Sequence, residues 1–209
     1  MAACWKIRPA RWNRQLKKRR PRCMPKRRWL NRELVIERAA ELVDEAGSVT
    51  AVSLTALAQA LEIRTPSLYN HVANLDDLQY GLAVYGAGLL LADLRQAAQG
   101  LVGQEAVMAM ATAYRQFAHA HPGIYPLTVR APEPDETELM ALAQELLQFL
   151  LLIMGSLGLQ GDEAIHAIRG LRAILHGFAS LEAAGGYKMA LDQEESFRRL
   201  VSAYIEGVQ

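Results

Sequence analysis

The nine residues RTPSLYNHV, Arg64–Val72, place hydrogen-bonding side chains on one side of a short helix and apolar side chains on the other. Leu68 and Val72 are four residues apart and so share a side. The other positions carry groups that can hydrogen-bond to base edges or phosphates: Thr65, Ser67, Tyr69, Asn70 and His71. We predict that Thr65 caps this helix and that Pro66 takes its first position. An ordinary amphipathic surface helix has the same pattern, so the polar face alone does not assign a function.

Two further helices are predicted just before this stretch. The first covers about residues 31–46, and the second covers residues 54–61 with Ser53 as its cap. Only residues 62–64 separate the second helix from the third. Two short helices joined by so tight a turn form a helix-turn-helix. In this motif the first helix supports the second, which enters the major groove of DNA. We expect apolar side chains to fix their crossing: Leu57, Leu61, Ile63, Leu68 and Val72.

Positive charge is concentrated at the N-terminus. Residues 1–32 contain 13 Lys and Arg and no Asp or Glu, which leaves 10 basic and 22 acidic side chains elsewhere, a net charge of −12. A basic arm on an acidic body points to nucleic acid or another polyanion. We predict that residues 1–28 form a disordered arm and that Lys26, Arg27 and Arg28 bind DNA. A solvated tail is one alternative, and a natural start at Met24, which keeps these three cations, is another.

The rest of the chain has helical periodicity and almost no strand pattern. Asn74 and Asp77 resemble a capping box, which predicts a helix through about residue 99. Further helices are predicted near residues 104–120, 136–154, 162–184 and 194–207. The predicted fold class is therefore all-α.

Composition limits the cellular setting and the kinds of site. Both cysteines, Cys4 and Cys23, lie in the arm, so the body has no disulfide and no Cys-based zinc site, which suits a reducing cytoplasm. No His pair has i, i+4 spacing, and we predict no metal site. The most apolar run, residues 139–154, contains two Gln and one Glu. We expect it to be too short and too polar to span a bilayer, and we predict no membrane partner.

The run SLTALAQALEIRTPSLYNHVANLDDL, residues 53–78, closely resembles the DNA-binding domain of TetR-family transcriptional regulators. Residues 121–127, HPGIYPL, and residues 174–201 more weakly resemble the TetR subfamily named for a Trp-His-Gly motif. Leu175 stands where that motif has Trp, before His176 and Gly177.

This resemblance implies an all-α homodimer that binds operator DNA. Its three-helix DNA-binding domain would cover residues 29–80, with the helix-turn-helix at about residues 54–73. Residues 81–209 would bind a small-molecule effector and dimerise, through the helices at 162–184 and 194–207. The family implies a repressor that leaves DNA when the effector binds.

The resemblance also assigns DNA contacts, to Thr55 and to the recognition helix: Thr65, Pro66, Ser67, Tyr69, Asn70 and His71. We add Arg64, because a guanidinium can bind guanine through two hydrogen bonds, with pairing to a phosphate as the alternative. Two departures count against DNA binding. Leu75, followed by Asp76 and Asp77, stands where many relatives have a phosphate-binding Lys, and Glu62 stands where relatives often have Gly.

Residues of the effector half with polar or aromatic side chains on apolar faces suggest a pocket. Arg169, Arg172 and His176 form one stripe of a helix and could bind a polar or anionic group, although a solvated or inter-subunit stripe fits equally. The full predicted pocket is Tyr114, Phe117, His121, Tyr125, Arg172 and His176. Core packing is the alternative for the aromatic members.

Three function classes remain at this point. A ligand-responsive DNA-binding regulator, without a cofactor other than its effector, explains most features. A helical interaction protein with a degenerate helix-turn-helix is the second class. An enzyme is the third, although the sequence has no Gly-rich phosphate loop, nucleophile elbow or metal-ligand spacing.

Overall fold

A computed structural model of the chain describes residues 30–208, which form nine α-helices and no strand. The helices are α1 Arg32–Ala46, α2 Leu54–Ala60, α3 Thr65–Leu68, α4 Leu75–Ala97, α5 Gly103–Ala120, α6 Tyr125–Val129, α7 Thr137–Ser156, α8 Gly161–Ala183 and α9 Gln193–Gly207. A single 3₁₀ turn, Val49–Ala51, links α1 to α2. The predicted all-α fold is confirmed. The arm cations Lys26, Arg27 and Arg28 lie outside the described residues.

Side-chain caps start three of the N-terminal helices, and two of them, Ser53 and Asn74, lie where the sequence predicts them. Asn31 accepts a hydrogen bond from the Leu34 amide at 2.9 Å, Ser53 from Ala56 at 3.1 Å, and Asn74 from Asp77 at 2.8 Å. Each bond satisfies an amide that has no partner inside its helix.

The predicted Thr65 cap is wrong. Arg64 is the last extended residue, and Thr65 is already the first residue of α3. The helix therefore begins one residue earlier than the Thr-Pro pair suggests, and no side chain caps it. The Thr65 hydroxyl does not serve as the α3 cap.

Apolar side chains fix the crossing of α2 and α3 as the sequence predicts. Leu57, Leu68 and Val72 are fully buried, and Leu61 and Ile63 pack against them while half-buried. In the turn, Glu62 has φ +55°, a left-handed conformation that favours Gly. Glu62 therefore adopts the turn that a Gly would form with less strain.

Helix α4 joins the two halves of the fold. It packs against α1 at its N-terminal end and against α5, α6 and α7 further along. The predicted domain boundary at residues 80/81 lies inside this continuous helix. Movement of α4 would thus act both on α1, which packs on α2, and on the C-terminal helices.

A cluster of charges ties α5 to α8 and α9. Arg115 donates to both Glu182 carboxylate oxygens, at 2.8 and 2.7 Å, and to Glu194 at 2.5 Å. Burial raises the pKa of Glu182, but the hydrogen bonds from Arg115 and His119 outweigh it, and the net pKa lies below the ordinary value. The Arg115 guanidinium also lies over the ring of Phe197, 4.8 Å from its centroid.

Helix α7 is the one described helix that is long and apolar enough, by length and composition, to cross a membrane. Core helices of soluble proteins meet the same criterion. It packs on α4 and α8, yet only 17% of its most apolar window is buried. Leu152, 73% exposed, belongs to its open face. The absence of a membrane partner stays a prediction.

Candidate nucleic-acid interface and ligand cavity

The polar side of α3 and its flanks faces outward. Leu68 is completely buried, whereas the Tyr69 side chain, which follows it, is 53% exposed. The other predicted DNA contacts at this surface are exposed, apart from two half-buried side chains, Thr65 and His71. The exposed ones are Thr55, Arg64, Pro66, Ser67 and Asn70. We call Thr55 together with residues 64–67 and 69–71 the recognition surface.

Arg32 braces this surface from α1. Its guanidinium donates to the His71 carbonyl at 2.8 Å and to both Asp77 carboxylate oxygens, at 2.6 and 2.9 Å. Asp77 also accepts from the Ala73 amide at 2.7 Å. The hydrogen bond from Arg32 lowers the pKa of Asp77. Asp77 is thus paired and does not add a free negative charge, and the charge of Arg32 is used within the fold.

The recognition surface itself is weakly charged. Arg64 is its one cation, and Arg38, the cation that precedes it in the sequence, pairs with Glu41 at 2.5 Å. Leu75, 40% exposed, and the exposed Asp76 adjoin the surface and offer no cation to a phosphate. Because affinity for DNA depends on the number of neutralised phosphates, further cations must come from elsewhere in the chain.

A cavity of about 270 Å³ lies between α4, α5, α7 and α8 and the segment that follows α6. Its wall is almost entirely apolar. The larger apolar side chains are Leu90, Leu94, Met110, Leu146, Leu147, Leu150, Met154, Ile168, Leu171 and Leu175. The polar side chains of the wall are Tyr114, Thr128, Arg130 and Arg172. A concave apolar site with a few polar groups is the usual form of a small-molecule site.

Two of the six predicted pocket residues, Tyr114 and Arg172, line this cavity. Tyr125 and His176 lie behind Tyr114 in a chain of hydrogen bonds. The Tyr114 and Tyr125 hydroxyls are 3.0 Å apart, and the Tyr125 hydroxyl is 2.6 Å from His176 Nδ1. They therefore support the wall and do not form it.

The other two predicted pocket residues, Phe117 and His121, are not among the residues that line the cavity. Phe117 is buried, and its ring lies 4.8 Å from the His121 ring, centroid to centroid. His121 Nδ1 is 2.7 Å from Asp44 of α1. These aromatic side chains serve packing between the two halves of the fold.

Burial raises the pKa of Tyr114 and of Tyr125, because a phenolate is poorly solvated there. Both tyrosines therefore stay neutral and can donate hydrogen bonds at neutral pH. Arg130, also in the wall, donates to Glu136 at 2.6 Å and holds the pKa of that carboxyl at about 2.

Sequence reasoning missed most of the cavity wall. Arg130 lies just before a Pro-rich break between helices, so the helical periodicity of apolar residues did not indicate it. The Leu, Ile and Met side chains of the wall cannot be told from core residues in a sequence. Within residues 30–208, no three His, Cys, Asp or Glu side chains are grouped so that they could hold a metal ion.

The chain is similar to regulators of known class. A family model described as Tetracyclin repressor-like, C-terminal domain, matches residues 107–204. The uncharacterized HTH-type transcriptional regulator YobS of Bacillus subtilis is 33% identical over 179 residues, which are 86% of this chain and 93% of that protein. A second such regulator, Rv0681 of Mycobacterium tuberculosis, is 34% identical over 157 residues, 75% of this chain and 72% of that protein.

Solved structures share the fold. A protein of unknown function from Rhodococcus sp. RHA1 superposes with a TM-score of 0.73 at 23% identity, over 88% of this chain and 97% of that one. A TetR variant from Acinetobacter baumannii AYE, solved in complex with minocycline, has a TM-score of 0.61 at 21% identity, over 85% of this chain and 96% of that one. The similarity to the Trp-His-Gly subfamily stays a prediction.

Proposed function

The chain belongs to the TetR family of DNA-binding transcriptional regulators, and from this we propose that it is a repressor that a small-molecule effector releases from its operator. The observation that carries the proposal is the separation of two sites, a recognition surface on α3 and an apolar cavity among α4, α5, α7 and α8. Helix α4 packs on α1, α5, α6 and α7. Arg32 of α1 donates both to Asp77 of α4 and to the His71 carbonyl of the recognition surface, so a change at one site has a route to the other.

Sequence readout is assigned to the recognition surface. Arg64 is placed to bind a guanine edge, and Thr65, Pro66, Ser67 and Asn70 to contact neighbouring base edges. Thr55, Tyr69 and His71 are assigned to the DNA backbone. The burial of Leu68 supports this assignment, because it fixes the side of the helix that faces solvent.

Phosphate neutralisation is assigned to the basic arm. Lys26, Arg27 and Arg28 supply the cations that the recognition surface lacks. Deleting residues 1–28 should lower affinity for all DNA sequences and reduce the slope of log K against log salt. A slope and an affinity equal to those of the full chain would overturn this assignment.

The effector is assigned to the cavity. A volume of about 270 Å³ corresponds to on the order of nine water molecules, which suits a small molecule. The TetR variant from Acinetobacter baumannii was solved with minocycline. We do not propose minocycline as the effector of this chain.

A homodimer is proposed through α8 and α9. Large apolar side chains are exposed on these helices and on the segment between them, including Leu181, Met189 and Leu191 at 51%, 78% and 69%. Light scattering should give a dimer for the chain and a monomer for Leu181→Glu. Leu152→Glu on α7 is the matched control and should stay dimeric. A dimeric Leu181→Glu variant together with a monomeric Leu152→Glu variant would place the interface on α7.

A gel shift with the region upstream of the protein's own gene tests the proposed function. Arg64→Ala and Tyr69→Ala should each weaken the specific complex by about tenfold or more. Arg95→Ala, which removes an exposed cation at the far end of α4, should leave it intact. Equal binding by all four proteins, or by none, contradicts an operator readout by the recognition surface. Effector release is then tested by adding candidate ligands to the complex.

A helical interaction protein is the second candidate, favoured by Leu75 and Asp76 beside the recognition surface. It predicts no specific DNA complex with any sequence selected from a random pool. We infer no enzyme activity, and we place the protein in the cytoplasm with its DNA. Detection of the protein only in a membrane fraction of lysed cells would contradict that location.

A further inference from the structure

Charge is distributed unevenly in the wall of the cavity. Arg130 and Arg172 both reach it, and none of the described residues that line it is acidic. Arg130 is neutralised by Glu136, which accepts its guanidinium hydrogen bonds. Arg172 is therefore the one cation of the described wall that is left to examine.

No carboxylate pairs with Arg172 anywhere in residues 30–208. Its guanidinium donates one hydrogen bond, from Nη2 to the Val129 carbonyl at the end of α6. An arginine has five N–H donors in a planar fork, so most of the donors of Arg172 are free for a ligand. The rest of its helix face, Ile168, Leu171 and Leu175, is apolar wall.

The charge of Arg172 acts on two tyrosine hydroxyls, that of Tyr114 in the wall and that of Tyr125 behind it. Burial raises the pKa of Tyr114, and the charge of Arg172 opposes that rise by favouring a negative oxygen there. It opposes the rise at Tyr125 as well. The polar end of the cavity thus has a positive potential and a neutral phenol that can donate a hydrogen bond.

We propose that the effector is an amphipathic organic anion, whose acidic group is bound by Arg172 and the Tyr114 hydroxyl and whose apolar body fills the space between α4, α5, α7 and α8. This inference rests on the proposed function only in that it calls the ligand an effector, because the cavity can bind an anion whether or not the protein binds DNA. A cation would meet Arg172 with no acidic group in the described wall to offset the repulsion. Arg172 is exposed, so a neutral apolar molecule would leave its donors to water and would gain no charge-assisted hydrogen bond from them.

Two fluorescent probes that differ by one anionic group test the proposal. 8-Anilinonaphthalene-1-sulfonate has an apolar diaryl body and a sulfonate, and N-phenyl-1-naphthylamine has the same body without it. The full chain should bind the sulfonate probe about tenfold more tightly than the neutral probe, as expected for charge-assisted hydrogen bonds. Arg172→Gln should remove this preference and leave the affinity for the neutral probe within about twofold.

Arg169→Gln is the matched control, because Arg169 is an exposed arginine one turn away on the same helix and does not line the cavity. It should keep the full preference, and light scattering checks that both variants keep the oligomeric state of the full chain. Equal binding of the two probes, no binding of the sulfonate probe, or an unchanged preference in Arg172→Gln would each overturn the proposal.

The gel shift separates this result from the proposed function. An anion preference without specific DNA binding supports the cavity and overturns the regulator. Specific DNA binding without the preference supports the regulator and overturns the anionic effector.

Discussion

Asp44 Oδ2 lies 2.7 Å from His121 Nδ1, which joins the end of α1 to the loop between α5 and α6. A carboxylate only accepts hydrogen bonds, so Nδ1 carries the proton in this pair. The other oxygen, Oδ1, accepts from the backbone amides of Gly123 and Ile124, at 2.9 and 3.0 Å. A single side chain of the N-terminal helices thus satisfies three donors of the C-terminal half.

Asp44→Ala should destabilise the protein by about 2–4 kcal/mol. The change leaves the amides of Gly123 and Ile124, both buried residues, without an acceptor. Urea unfolding measures the loss. Glu45→Ala is the control, because Glu45 is the exposed neighbour on α1. Equal stabilities of the two variants would contradict a structural role for the Asp44 junction.

Gly123→Ala should lower the stability of the protein strongly, although it adds only one methyl group. A Cβ at this position would be 2.1 Å from the Val43 carbonyl oxygen, and backbone on both sides cannot yield as a flexible side chain can. We expect a loss of more than about 2 kcal/mol, in the range of overpacked cores. Gly88→Ala in α4 meets no atom within 4 Å and should gain about 0.5–1 kcal/mol from helix propensity. Thermal unfolding of both variants checks the contrast, and a Gly123→Ala variant as stable as Gly88→Ala would contradict the close approach.

The Asp77–Arg32 pair should make the stability of the fold depend on pH in the acidic range. The pKa of Asp77 is lowered from 3.8 in the folded state by the hydrogen bond from Arg32. Its contribution is therefore complete above about pH 4 and is lost as the pH falls through the lower, folded-state pKa. Asp77→Asn should be less stable than the unmodified chain by about 1 kcal/mol at pH 7, and this difference should shrink below pH 3.8.

Thermal unfolding between pH 7 and pH 3 measures that difference. Asp76→Asn is the control, because Asp76 is exposed and shares the first turn of α4. A stability gap for Asp77→Asn that is constant with pH would show that the pair does not act through ionisation.

The sequence predicts the N-terminal helices well because their signals are local. Asn31, Ser53 and Asn74 cap helices within three residues of themselves, and Leu57 and Leu68 pack across one short turn. Thr65 misled the prediction because a Thr-Pro pair fits either a cap or a first turn. The bonds from Arg32 to Asp77 span 45 residues, and no spacing rule indicates them.

Most of the cavity wall could not be predicted, because it depends on contacts between distant parts of the chain. Tyr114 and Arg172 stand out as polar groups on apolar helix faces, and both line it. Phe117 follows Tyr114 by less than one turn, yet it packs against His121, whose side chain pairs with Asp44 in another part of the chain. Which face of a helix borders a cavity depends on how the helices pack together, and the sequence of one helix does not contain that information.

The central claim is that the recognition surface selects the DNA sequence while the basic arm supplies affinity. Its most direct test is the affinity of the full chain, of Arg64→Ala and of the chain lacking residues 1–28 for every single-base variant of the operator, measured by fluorescence anisotropy. Arg64→Ala should lose about 1–3 kcal/mol of discrimination at one base pair of each half-site and keep it elsewhere. Removal of residues 1–28 should weaken all variants equally. A uniform loss with Arg64→Ala, or altered base preference after removal of the arm, would contradict the account.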